Sequence, residues 1–215
     1  MPRTGWVLKG INPCESVAEH SHRMGMLALL FAGDAKIDVM RACAMALVHD
    51  LAEALVGDIA PSQGVDEQVK IKLEKEAMAT ILNDLGDNEV RTRFAFCLAN
   101  KHKKKMSNLT RHAMIFTRET KKMTQASRLI SSLWEEYEAR SSPEALLVKD
   151  LDRFEMVVQA FEYENSKDVA LDDFFHSVQG KIKNPVVLSW FNALLAKRTA
   201  IYEGSVYRLD KPDSD

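Results

Sequence analysis

The stretch ALVHDLAEALVGDIAP, Ala46 to Pro61, sets His49, Asp50 and Glu53 in an otherwise apolar run. From Val39 to Leu55 only Arg41 joins them as an exception to Ala, Val, Leu, Met and Cys. A helix that is apolar all round is normally buried. Buried carboxylates are costly unless they are paired or bound to a cation. On a continuous helix Glu53 would lie about 6 Å along the axis from His49, on nearly the same face. A metal site built here needs ligands from other segments. His20 and His22 in ESVAEHSHRM are about 200° apart on a helix, so one of them faces the core. Met24, Leu27 and Phe31 mark the buried stripe, and His20 belongs to it. In LLVKDLDRFEMVVQA the apolar face is Leu147, Val148, Leu151, Phe154 and Val158. Asp152 can point inward beside it, whereas Asp150 falls further round and is expected in solvent.

His20, His49, Asp50 and Asp152 supply two imidazoles and two carboxylates. That mixed set suits Mn²⁺, Fe²⁺, Co²⁺ or Zn²⁺ better than calcium and leaves positions for water and substrate. A cation there would lower the pKa of bound water. A lone histidine on an apolar face is more often a hydrogen-bonded core residue. The combination of HD, Glu53 one turn on and Asp58 at the helix exit favours the metal.

The elements that must position these groups are all helical. Ser16 and Glu19 have capping-box spacing and open a helix to about Phe31, broken by Gly33-Asp34. Asp38 caps a helix expected to run to about Gly57, followed by the connector 58–61. Asp66 caps a helix to about Leu85. Ser142-Pro143 and Asn184-Pro185 each read as cap plus first helical residue, opening helices to about Glu164 and Tyr202. With no alternating strand-like run, the expected fold is all-α, one compact multi-helix bundle over residues 1–215.

Bulk properties narrow the function. The formal charge is −2 and the hydrophobic fraction 46%, which describes neither a nucleic-acid binder nor a membrane-surface protein. Three cysteines without a CxxC pair argue against a disulfide framework and fit a reducing compartment. With no secretory signal or apolar run of transmembrane length, a soluble cytoplasmic protein is expected. One segment departs from this balance. Residues 94–128 hold nine Lys or Arg against a single acidic residue, Glu119. The plain reading is a solvated basic insertion; the sharper one is a surface for an anionic partner.

ESVAEH, ALVHDLAEALVGDIAP and LVKDLDRFEM closely resemble the HD-domain 5′-deoxynucleotidases of the HD phosphohydrolase superfamily. LWEEYE, Leu133 to Glu138, is similar to the eukaryotic branch. The resemblance covers about residues 2–93 and 130–164. It implies a helical HD domain, a divalent cation such as Mn²⁺ or Co²⁺, and release of phosphate from deoxyribonucleoside 5′-monophosphates. It also implies a homodimer and a small-molecule substrate; no membrane partner and no nucleic acid are expected, although the basic insertion leaves nucleic acid open. By this resemblance His20, His49, Asp50 and Asp152 are the metal ligands. Glu53 is the acid–base carboxylate, and Asp58 accepts from the sugar 3′-hydroxyl. A second ion would lie near Glu53, Asp58 and the Ile59 carbonyl. Trp6 in RTGW would stand against the sugar and disfavour a 2′-hydroxyl. Arg3 is the candidate phosphate contact, although the family's arginine adjoins the tryptophan and here Gly5 does.

Two departures bear on activity. Relatives carry a helix before RTGW, and residues 94–128 have no counterpart in them, as a lineage-specific insertion or a gene-model artefact would. Two other functions compete: an HD hydrolase of nucleoside triphosphates or cyclic phosphodiesters, and a non-catalytic helical interaction protein that binds through the basic insertion.

Overall fold

The computed structural model describes residues 1–85, 124–167 and 169–209, with side chains to Tyr202. The basic stretch 94–128 lies outside the described residues except for its last five. Among the described residues the secondary structure is helical, with an isolated antiparallel bridge between Pro2 and Ser16. In chain order the helices are α1 (Thr4–Leu8), α2 (Val17–Leu29), α3 (Val39–Val48), α4 (Glu53–Val56), α5 (Glu67–Asp84), α6 (Gln125–Ala139), α7 (Pro143–Lys167), α8 (Asp172–Val178) and α9 (Pro185–Leu209).

The sequence signals for helix starts act as the physics requires. Ser16 Oγ accepts from Glu19 N while Glu19 Oε2 accepts from Ser16 N, a reciprocal capping box. Asp38 accepts from Arg41 N at 3.0 Å. Asp66 accepts from Gln68 N and Val69 N. Ser142 accepts from Ala145 N, and Asn184 from Val186 N and Val187 N. Each satisfies N–H groups that the helix leaves without a partner.

The helix expected from Asp38 to Gly57 is interrupted. α3 ends at Val48, and α4 begins at Glu53. Between them tight bonds from Ala54 N to Leu51 O and Leu55 N to Ala52 O replace the regular ladder. His49 and Asp50 therefore stand at a helix exit. Gly57 ends α4 with φ +88°, a conformation that favours glycine. The sequence reading also passed over α6 and two short helices, α1 and α8.

The chain divides into two compact units, Met1–Asp50 with Leu133–Asp215, and Leu51–Ser132. In the first, α7 is the central element, packed by α2, α3, α8 and α9. Met24, Ala28, Met45, Leu147, Val148, Leu151 and Val157 form its fully buried core. Close packing of this kind fixes side-chain directions. In the second, α4 packs on α5, and Ser127 Oγ of α6 donates to Leu82 O.

Candidate metal centre

His20 is carried by α2, His49 and Asp50 by the exit of α3, and Asp152 by α7. All four lie in the first unit. One ligand atom from each of His20, His49 and Asp50 falls within a 4.8 Å cluster. His49 Nε2 is 3.1 Å from Asp50 Oδ2, and His20 Nε2 is 3.8 Å from the same oxygen. Asp152 joins them with Oδ1 at 3.3 Å from His20 Nε2. Three of the sequence-predicted set thus share one cluster, and Asp152 adjoins it through His20.

The ring nitrogens are sorted. His49 Nδ1 donates to Ala46 O at 2.8 Å, and His20 Nδ1 to Glu155 Oε2. With Nδ1 spent, Nε2 is the nitrogen left to each ring. Both Nε2 atoms are buried without hydrogen-bond geometry to any partner. A buried polar atom left so is costly, and a pair of them facing two carboxylates fits a divalent cation. Both imidazoles are 0% exposed, while the side chains of Asp50 and Asp152 keep 19%.

Electrostatics agree. Burial would raise the Asp50 carboxyl, but His49, Arg3 and His20 outweigh it and hold it well below the usual range. Burial likewise opposes ionisation of Asp152, and Lys149 and His20 overcome it. Burial disfavours a charged His20, yet the neighbouring carboxylates of Asp152 and Glu155 push it up to about 10. The cluster holds two ionised carboxylates and favours positive charge between them.

Three supporting residues escaped the sequence reading. Glu155 is fully buried and joins His20 Nδ1 to Arg23, whose Nε is 3.1 Å from Oε1. A carboxylate behind a ligating imidazole fixes its orientation and tautomer. Lys149 Nζ donates to Asp152 Oδ2 at 2.9 Å and to Tyr137 Oη at 2.8 Å, and Tyr137 Oη donates to Asp152 Oδ2 at 3.2 Å. The signal was present for two of them: Lys149 and Glu155 each lie three residues from Asp152, within one turn.

Asp150, expected in solvent, is 3% exposed. It accepts from Lys183 N at 2.8 Å, from Asn184 N at 2.7 Å and from Arg153 Nη1 at 3.0 Å. The turn before α9 packs over it, which the periodicity of α7 alone does not reveal.

Arg3 reaches the centre, with Nη1 donating to Asp50 Oδ2 at 3.2 Å. Trp6 is 1% exposed, stacked on Phe174 at 4.4 Å, with Nε1 donating to Glu15 Oε1 at 2.8 Å. It is a core residue that anchors the segment bearing Arg3. In the second unit Glu53 is buried at the first position of α4, and Asp58 is half-buried in the connector. The Ile59 carbonyl accepts from Lys70 Nζ at 3.4 Å. A second cation on that carbonyl would meet this ammonium.

Comparison with known proteins is consistent with this centre. The family described as "HD domain" matches residues 1–190. The chain is 38% identical over 200 residues to the 5′-deoxynucleotidase HDDC2 of Danio rerio, covering 92% of this chain and 81% of that protein. It is 36% identical over 198 residues to the 5′-deoxynucleotidase hdd1 of Schizosaccharomyces pombe, covering 92% and 83%. Among solved structures, a conserved hypothetical protein from Pyrococcus furiosus superposes with a TM-score of 0.61 at 26% identity, covering 91% of each chain.

Proposed function

This chain belongs to the HD domain family, and we propose that it is a metal-dependent 5′-deoxynucleotidase, releasing phosphate from deoxyribonucleoside 5′-monophosphates as one HD domain. The observation that carries the reading is the pair of buried Nε2 atoms, on His20 and His49, facing the carboxylates of Asp50 and Asp152. His20, His49, Asp50 and Asp152 would hold a divalent cation, Mn²⁺ or Co²⁺ in this proposal. When bound, such an ion polarises a phosphoryl oxygen and acidifies water.

The chain's own residues supply the rest. Arg3 offers guanidinium N–H groups to phosphate oxygens, a geometry suited to bidentate contact. Its present bond to Asp50 supports that role by setting it beside the ligands. Glu53, buried and three residues after Asp50 in the chain, is assigned the proton for the leaving 5′-oxygen. Asp58 accepts from the sugar 3′-hydroxyl. Trp6 is assigned the anchoring of Arg3, because the sugar contact expected of it requires an exposed ring. One cation is favoured over two by the Lys70 ammonium on Ile59. A cytoplasmic homodimer acting on a small molecule completes the proposal. No helix among the described residues is long and apolar enough to cross a membrane.

The test is phosphate release from dCMP, dAMP, dGMP and dTMP against the matching ribonucleotides, with added Mn²⁺ or Co²⁺. Deoxynucleotide-selective, chelator-sensitive release is expected. Metal binding without monophosphate cleavage would reject the reading.

A further inference from the structure

The two oxygens of Asp152 are not equivalent. Oδ1 faces His20 Nε2 at 3.3 Å. Oδ2 accepts from the Lys149 ammonium and from Tyr137 Oη, and the ammonium also donates to that hydroxyl, closing a ring of three groups. The ring is held from outside. Tyr137 is buried in a T-shaped contact with the His49 ring at 5.2 Å between centroids, and Lys149 Nζ lies 5.0 Å from the Tyr137 ring centre.

A lysine beside a metal-ligand carboxylate is electrostatically unfavourable for cation binding, because like charges repel strongly where water is scarce. Its presence calls for a compensating role. Turning Oδ2 onto a cation would strip it of two donors, one of them charged, and charge-assisted bonds are the strong ones. Oδ1 carries no such commitment.

On the reading of this cluster as a metal centre, we propose that Lys149 and Tyr137 are positioning residues that hold Asp152 to one oxygen on the cation. A carboxylate so restrained leaves one more coordination position for water or a phosphate oxygen. Lys149 thus exchanges some cation affinity for an open site.

The experiment uses the full chain loaded with Mn²⁺, as wild type, Lys149→Met and Tyr137→Phe. Mn²⁺ affinity and water-proton relaxation per bound ion are measured without nucleotide. Lys149→Met should bind Mn²⁺ no more weakly than wild type. Its relaxation per ion should fall, as the freed Oδ2 displaces a water. Its kcat should drop about 10-fold or more with little change in KM. Tyr137→Phe keeps the ring against His49 and should shift relaxation in the same direction, less far. Unchanged relaxation in both variants overturns the proposal, whether Mn²⁺ affinity falls, as a packing role predicts, or KM rises, as a direct phosphate contact predicts. A wild type that takes up no Mn²⁺ overturns the metal-centre reading itself.

Discussion

Arg3 and Asp50 stand 47 positions apart in the chain, yet Nη1 of the arginine lies 3.2 Å from Oδ2 of the aspartate. If Asp50 is a metal ligand as proposed, this guanidinium sets an anion-binding group beside a cation-binding one, the pairing that a phosphate ester requires. Replacing Arg3 by Ala should raise KM for deoxynucleoside monophosphates roughly 10- to 100-fold, the worth of a charge-assisted hydrogen bond. Mn²⁺ affinity should hold or improve, because Asp50 loses a competing partner. Steady-state kinetics beside a metal titration check both.

Cation binding to the folded centre stabilises the native state by mass action. Mn²⁺ at 100 times its Kd should add about 2.7 kcal/mol, read as a rise in Tm that a chelator reverses. Asp50→Ala and His20→Ala should abolish the Mn²⁺-dependent rise. A rise retained in both would exclude these residues as ligands.

Glu53 separates chemistry from metal binding. Glu53→Gln keeps the side-chain shape but cannot deliver a carboxyl proton. It should lower kcat by about 10²- to 10⁴-fold and leave Mn²⁺ uptake near wild type. Parallel dialysis and phosphate-release assays decide the matter.

Asp150 and Asp152 are two residues apart and should fail in different ways. Asp150→Ala strands the N–H groups of Lys183 and Asn184. It should cost about 2–3 kcal/mol of stability, seen as a lower urea midpoint, while kcat of the folded fraction is kept. Asp152→Ala should lose metal and activity instead.

The Arg41–Glu136 pair joins α3 to α6, with both Glu136 oxygens about the Arg41 guanidinium. Arg41 first, then Ser142, holds the Glu136 carboxyl below its usual range against the opposing effect of burial. A carboxyl depressed on folding stabilises above its unfolded pKa, about 4.3, and that contribution is lost as pH falls through the folded value. Glu136→Gln should therefore be less stable than wild type at pH 7, and the two should converge in acid below about pH 4. Thermal melts across that range test the sign.

Much of the framework was legible because it is local. Ser16 with Glu19, Asp38, Asp66, Ser142-Pro143 and Asn184-Pro185 each mark a helix start through bonds that span three residues or fewer. His20 was separable from His22 by its place on the Met24–Leu27 stripe, and the structure buries His20 and exposes His22. Asp150 was misplaced because the groups that bury it arrive from 33 and 34 residues away. The break after Val48 was equally hidden, since Leu51 to Leu55 is as good a helix former as what precedes it.

The amino-acid order by itself determined the capped beginnings of the long helices and which side chains are offered as candidate metal ligands, because periodicity and capping act within a few residues. Tertiary packing decided that His20 spends Nδ1 on Glu155 and turns Nε2 toward Asp152. It also decided that the Trp6 ring lies in the core. The His20–Glu155, His20–Asp152 and Trp6–Phe174 contacts join segments more than 100 positions apart, where direction is set by how the helices of this unit close on one another.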